Sequence, residues 1–132
     1  MTSAPEGRGQ GEPEREQVGR RSNQQIGAAG EDQAAAWYLR RGFKIVARNW
    51  RCREGELDLV LAKRRLLVVC EVKARSSLAF GAPIEAITPA KAKRLRVLAT
   101  RFVEETGVRP AEIRFDVACV LAGELDAVED AF

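Results

Sequence analysis

The chain contains no histidine among its 132 residues. This absence excludes a histidine-containing catalytic triad, a histidine-ligated zinc site and a histidine general base. Any hydrolytic chemistry in this protein therefore has to use carboxylates, lysine and a hard cation such as Mg²⁺ or Mn²⁺.

Cysteine is also scarce, with three residues at positions 52, 70 and 119. The number is odd and no two of them are close in sequence, so the pattern predicts neither a disulfide framework nor a cysteine metal site. Cys70 and Cys119 stand in apolar, strand-like runs. We interpret them as small hydrophobic residues of the core.

Long hydrophobic runs are missing as well. No apolar run approaches the roughly 18 residues that a membrane span requires. Residues 1–20 contain no hydrophobic stretch of the kind found in a secretory signal. We therefore expect a cytoplasmic protein with no membrane partner.

The order of predicted elements indicates one α/β domain. Residues 1–22 are rich in Gly, Glu, Arg, Gln and Pro, which predicts a disordered tail. Residues 23–132 are enough for a single domain with a modest core. The predicted elements are helix 23–41, strands 43–49, 56–62 and 66–73, a loop at 76–85, a helix that begins with Thr88 as N-cap and Pro89 and ends at Gly107, and strands 113–121 and 125–132. This order predicts a mixed β-sheet flanked by helices.

Two of the predicted strands carry charged residues inside apolar runs. Asp58 interrupts the run at 56–61, and Glu71 and Lys73 end the run at 66–73. Burying such groups is costly unless they are paired or bound to a metal. The two acids are suitable hard-oxygen ligands, with the Val72 carbonyl as a third. Lys73 could orient a water or stabilise charge on a phosphate, so the pattern favours phosphodiester hydrolysis over an exposed charge cluster.

The proposed site depends on the register of these two strands. Residues opposite each other in an antiparallel pair share a face, so Asp58 faces Glu71 only if the loop has an even number of residues. Loops of 64–65 or 63–66 satisfy this condition, and Glu56, Asp58, Glu71 and Lys73 then share one face. An odd loop would place Asp58 beside Cys70 instead.

Basic residues cluster along the chain in a way that fits a polyanionic partner. The clusters lie at 40–53, 63–65 and 91–96. The candidate nucleic-acid contacts are Arg48, Arg51, Arg75, Lys91 and Arg94. Solvated surface charge is the alternative interpretation of each. Trp50 is the one aromatic residue that we consider for base contact, although a core position is more typical of tryptophan.

Five segments of the chain together resemble the YraN family of small bacterial proteins. They are Gly27-Ala28-Ala29-Gly30-Glu31, Arg48-Asn49-Trp50-Arg51-Cys52, Gly55-Glu56-Leu57-Asp58-Leu59, Glu71-Val72-Lys73-Ala74-Arg75 and Arg114-Phe115-Asp116-Val117. The resemblance covers residues 23–132. It implies a restriction-endonuclease-like fold with the PD-(D/E)xK type of nuclease centre.

The resemblance also implies a role for individual residues. Asp58 and Glu71 are the expected metal-binding acids, and Lys73 is the expected catalytic lysine. Glu31 is similar to the extra acid of the related Holliday-junction resolvases, which binds the metal directly or through water. Asp116 lies outside this set, and we expect it to pair with a buried arginine.

These observations lead us to expect a Mg²⁺- or Mn²⁺-dependent endonuclease that acts on DNA, including branched or structured DNA. Resolvases with such a centre often act as dimers, so a homodimer is one expected assembly. The alternatives are a non-catalytic nucleic-acid-binding module on the same fold and an interaction protein whose acids are structural.

Overall fold

A computed structural model describes residues 23–75 and 87–132. The predicted tail at 1–22 and the predicted loop at 76–85 lie outside the described residues. The elements are α1 (Asn23–Arg40), β1 (Lys44–Cys52), β2 (Gly55–Lys63), β3 (Leu66–Arg75), α2 (Pro89–Thr106), β4 (Glu112–Leu121) and β5 (Glu124–Val128). Neither helix is both long and apolar enough to traverse a lipid bilayer.

The five strands form one mixed sheet in the order β1-β2-β3-β4-β5. Neighbouring strands are antiparallel except β3 and β4, which run parallel and are connected through α2. The predicted mixed β-sheet flanked by helices, with the predicted order of elements, is confirmed. Strand β1 is longer than predicted because its ladder with β2 continues from Asn49 to the Cys52–Gly55 pair, leaving only Arg53 and Glu54 as the turn.

The two helices cover opposite faces of the sheet. On one face, Ala34 and Tyr38 of α1 pack with core residues of β2 and β3 that include Leu59, Val68 and Cys70. On the other face, α2 packs with a second core cluster. This cluster includes Leu57, Val60 and Val69 of the sheet and Leu98 and Phe102 of α2. The sheet is therefore a middle layer with a hydrophobic core on each side.

The ends of α2 follow the sequence signals for helix termini. The Thr88 hydroxyl accepts a hydrogen bond from the Lys91 backbone N–H at 3.1 Å, and Pro89 occupies the first helical position. Gly107 ends the helix in the left-handed region, with φ 77°. The cap fixes the backbone of Lys91 in the first turn of α2.

Asp116 on β4 is fully buried and connects three parts of the fold, α1, β4 and the C-terminal segment. Its carboxylate accepts hydrogen bonds from the Tyr38 hydroxyl at 2.5 Å and from the Arg114 guanidinium at 2.9 and 3.0 Å. It also accepts one from the Asp130 backbone N–H at 3.0 Å. Burial and the neighbouring acid raise the pKa of Tyr38, so its hydroxyl stays a donor. The predicted pairing of Asp116 with an arginine is confirmed.

Substitution of glycine by alanine should change stability in opposite directions at two positions of α1. A Cβ on Gly30 would approach the Ala74 Cβ to 2.7 Å, whereas a Cβ on Gly27 meets nothing within 4 Å. We expect Gly30→Ala to lower the free energy of unfolding by about 1–3 kcal/mol through overpacking. Gly27→Ala should raise it by roughly 0.5–1 kcal/mol because alanine favours the helix. Urea denaturation of both variants measures these changes, and a gain in stability for Gly30→Ala would contradict the close approach of α1 to β3.

Candidate active site

Strands β2 and β3 form a hairpin with a two-residue loop, Arg64-Arg65. Their ladder runs from the Lys63–Leu66 pair to the Leu59–Cys70 pair. The condition for Asp58 to face Glu71, a loop with an even number of residues, is therefore met, whereas the predicted strand bounds had left the three residues 63–65 between the strands. Continued by one residue, this register places Asp58 opposite Glu71.

The ladder changes at Asp58. Its carboxylate oxygen Oδ2 accepts a hydrogen bond from the Val72 backbone N–H at 2.9 Å, a donor that a regular ladder would give to a carbonyl. Leu57 and Val60 belong to the core cluster under α2, whereas Leu59 packs on the α1 face. In a regular strand Leu57 and Leu59 would share a face, because alternate residues do. They pack on opposite faces, so the alternation is broken between them. Asp58 lies at this break.

Strand β1 is irregular at the same level. Asn49 has a φ of 53°, and the ladder pairs Arg48–Leu59 and Trp50–Leu57 flank it. The Asn49 side chain donates a hydrogen bond to Glu31 Oε1 at 3.2 Å. Asn49, the irregular residue of β1, thus holds Glu31 of α1 beside the site.

Glu31 is close enough to influence Asp58 but has partners of its own. The Arg48 guanidinium lies 3.6 Å from the Glu31 carboxylate and 2.8 Å from that of Asp32. The charge of Glu31 contributes to raising the pKa of Asp58. Glu31 is therefore in the electrostatic neighbourhood of the proposed site and is restrained by Arg48 and Asn49.

Glu71 is the most enclosed acid of the site, with a side chain 7% exposed. Its Oε2 lies 3.4 Å from the Lys73 ammonium and 2.9 Å from the Lys91 ammonium. Burial opposes the charge of Lys91, but its hydrogen bond to Glu71 and the attraction of both acids outweigh burial and raise its pKa.

Sequence reasoning named Lys91 only as a phosphate contact. The capped helix start at Thr88 was the sequence signal that a first-turn residue would be held in place.

The carboxyl groups of Asp58 and Glu71 interact strongly. Burial, repulsion by Glu71 and by Glu31, and a hydrogen bond with Glu71 raise the pKa of Asp58 to about 7, although the Val72 N–H opposes the shift. The raised pKa means that the negative charge of Asp58 is disfavoured beside Glu71 and Glu31, and a cation bound at this carboxylate would favour it.

Two carboxylates of the site, those of Asp58 and Glu71, are suitable ligands for a hard divalent cation. Within residues 23–75 and 87–132, no three acidic or cysteine side chains form a ready-made group of metal ligands. Mg²⁺ does not require one, because it commonly keeps several waters and binds through one or two carboxylates together with substrate phosphates. Asp58 and Glu71 meet this requirement. Glu31 is already engaged by Asn49 and Arg48, so it is suited to contact such a cation through a water.

Glu56 does not join this group. Because Leu57 packs on the α2 face, its neighbour Glu56 points to the α1 side, and the expectation that it shares a face with Glu71 is wrong. Its carboxylate lies 3.6 Å from the Arg51 guanidinium. The break at Asp58 accounts for the error, since strict alternation had been assumed.

The predicted nucleic-acid contacts differ in how far they are already engaged. Arg48, Arg51 and Lys91 are ion-paired as described above. The Arg75 guanidinium donates to the Ala74 carbonyl at 3.1 Å. Arg94 is exposed and forms no ion pair within the described part of the chain. Trp50 packs edge-on against Phe102, with ring centroids 5.2 Å apart, so it is a core residue.

Comparison with known proteins places the site within a defined family. Residues 30–120, which include the two acids and both lysines, match the profile of the uncharacterised protein family UPF0102. The chain belongs to the UPF0102 family. This is the YraN family, so that part of the resemblance is confirmed.

UPF0102 proteins from several bacteria match this chain over most of their own length. One from Nocardioides is 49% identical over 98 residues, covering 74% of this chain and 79% of the relative. One from Beutenbergia cavernae is 50% identical over 101 residues, covering 76% and 86% respectively. One from Rhodococcus jostii is 42% identical over 115 residues, covering 83% and 98%. The name UPF0102 denotes no activity.

Proposed function

We propose that this UPF0102 protein is a Mg²⁺- or Mn²⁺-dependent nuclease that hydrolyses phosphodiester bonds in DNA. The observation that carries the proposal is the buried meeting of Asp58 and Glu71 with the ammonium groups of Lys73 and Lys91. We include in the proposal that the fold is restriction-endonuclease-like, since the acids and the lysine occupy neighbouring strands β2 and β3 as in the PD-(D/E)xK pattern.

Asp58 and Glu71 are the residues that would hold the cation. When bound, a divalent cation supplies Lewis acidity toward the scissile phosphate and neutralises developing charge. The Val72 backbone N–H positions the Asp58 carboxylate through the hydrogen bond of 2.9 Å. The low exposure of Glu71 limits competition from bulk water, which strengthens charge interactions at the site.

Lys73 is the proposed catalytic lysine. Its side chain is 15% exposed, and β3 holds it two residues beyond Glu71 on the same side of the strand. From there its ammonium can donate hydrogen bonds to the attacking water and to a non-bridging phosphate oxygen. Such a placed donor stabilises charge that develops in the transition state.

The proposal is tested with purified protein and a panel of duplex, single-stranded, flapped and branched DNA. We expect strand cleavage in Mg²⁺ or Mn²⁺ and none when EDTA removes the cation. Branched DNA should be cut at least as fast as linear duplex of the same sequence. Failure to cut any substrate in either metal, by protein that is folded and binds Mn²⁺, would reject the nuclease proposal.

A non-catalytic nucleic-acid-binding module is the second candidate. It is favoured by the two ammonium groups that already neutralise Glu71 and by the absence of a ready-made three-ligand group among the described residues. This function predicts DNA binding that weakens steeply with salt, since phosphate contacts release counterions, and no cleavage across the same panel.

A further inference from the structure

We propose that Lys91 is an internal counter-cation. Its ammonium group pairs with the Glu71 carboxylate until a divalent cation binds, and it then moves away to pair with a substrate phosphate. This inference rests on the proposed function, because it assumes that Asp58 and Glu71 bind the cation. It assigns to α2 a part in coupling metal binding to nucleic-acid binding.

Two ammonium groups already lie against a single oxygen atom of Glu71. Glu71 Oε2 faces Lys91 Nζ at 2.9 Å and Lys73 Nζ at 3.4 Å. A carboxylate oxygen has about two lone-pair directions. A divalent cation that uses Oε2 therefore competes with the two ammonium groups for that oxygen.

Lys91 is the group that can leave. Its side chain is 33% exposed, compared with 15% for Lys73. Its backbone N–H is fixed by the Thr88 cap at 3.1 Å, so the flexible side chain can swing while α2 stays in place. Lys73 lies on β3, where it pairs with Cys119 of the neighbouring strand β4.

The balance of charge in the site also links metal binding to phosphate binding. The two acids and the two lysines sum to zero when all four are ionised. Adding a divalent cation leaves two surplus positive charges in a mostly buried site, which is unfavourable without an anion. A phosphodiester supplies that anion, and the released Lys91 is positioned to bind it. The lysine thus links the binding of both ligands.

The experiment titrates Mn²⁺ into the substrate-free protein by isothermal titration calorimetry. We expect Lys91→Met to raise Mn²⁺ affinity about tenfold, because the competing ammonium is gone. Lys93→Met is the matched control, since it removes the same charge from an exposed position two residues further along α2. Equal gains in both variants would show that only long-range charge matters and would overturn the proposal.

A second measurement follows DNA affinity with and without Ca²⁺, which occupies carboxylate sites and is expected not to support cleavage. We expect Ca²⁺ to increase the affinity of the unsubstituted protein and of Lys93→Met for DNA. Lys91→Met should lose at least half of that fold-increase. An undiminished increase would contradict the transfer of Lys91 to phosphate. Lys91→Gln repeats both measurements with a polar side chain, and thermal denaturation establishes that each variant is folded.

The outcomes separate this inference from the nuclease proposal. Absence of Mn²⁺ binding by the unsubstituted protein would reject both. Mn²⁺ binding that Lys91→Met leaves unchanged would reject the role of Lys91 alone. A Lys91-specific gain in affinity, in protein that cuts no DNA, would support the counter-cation and leave the nuclease proposal rejected.

Discussion

Asp58→Asn is expected to abolish Mg²⁺-dependent DNA cleavage, lowering the single-turnover rate by about 10³-fold or more. The substitution keeps the size of the side chain and an oxygen that can still accept from the Val72 N–H. It removes the negative charge that the cation requires. Fold and strand pairing should therefore persist while activity is lost.

Lys73→Met should cause a loss of similar size for a different reason. The aliphatic stem is retained, but the ammonium that orients water and stabilises charge on the phosphate is gone. Mn²⁺ binding should survive in this variant, whereas Asp58→Asn should lose it. Calorimetry and cleavage assays together distinguish loss of the cation from loss of the catalytic group.

Glu56→Gln is the matched control for Asp58→Asn. It makes the same kind of change two residues away on β2, at an acid that pairs with Arg51 instead of entering the site. Its cleavage rate should stay within about threefold of the unsubstituted protein, as expected for a half-exposed ion pair. Glu31→Gln should fall between these extremes if Glu31 acts through water. Full activity of Asp58→Asn, in protein freed of contaminating nucleases, would refute the proposed site.

Asp116→Asn is expected to produce the largest loss of stability, about 3–5 kcal/mol in the free energy of unfolding. The carboxylate is fully buried and accepts from Tyr38, Arg114 and the Asp130 backbone. An amide carries no charge to balance the Arg114 guanidinium, and its NH₂ group faces donors where an acceptor is needed. The measurement is urea denaturation followed by circular dichroism.

Asp126→Asn provides the control for that measurement. Asp126 is an exposed acid on β5 whose carboxylate forms no ion pair within residues 23–75 and 87–132. Its substitution should change stability by no more than about 0.5 kcal/mol. Tyr38→Phe should cost about 1–3 kcal/mol, because it removes a single donor to a buried charge. If Asp116→Asn were as mild as Asp126→Asn, the buried network would not be the main tie between α1, β4 and the C-terminal segment.

Much of this protein follows from local sequence. The order of elements and the Thr88 cap were predictable, and so was the condition, an even hairpin loop, under which Asp58 faces Glu71. Each depends on neighbours in the chain: periodicity determines helix or strand, and the parity of a hairpin loop determines which residues face each other.

Only the tertiary structure decided which other groups enter the site. Lys91 reaches Glu71 because α2 packs across one face of the sheet, and that packing depends on residues distant in sequence. Glu56 is excluded because strand alternation breaks at Asp58, where a side chain replaces a backbone partner for Val72. Sequence patterns determine local conformation, whereas contacts between distant elements depend on how their surfaces pack, which no single segment specifies.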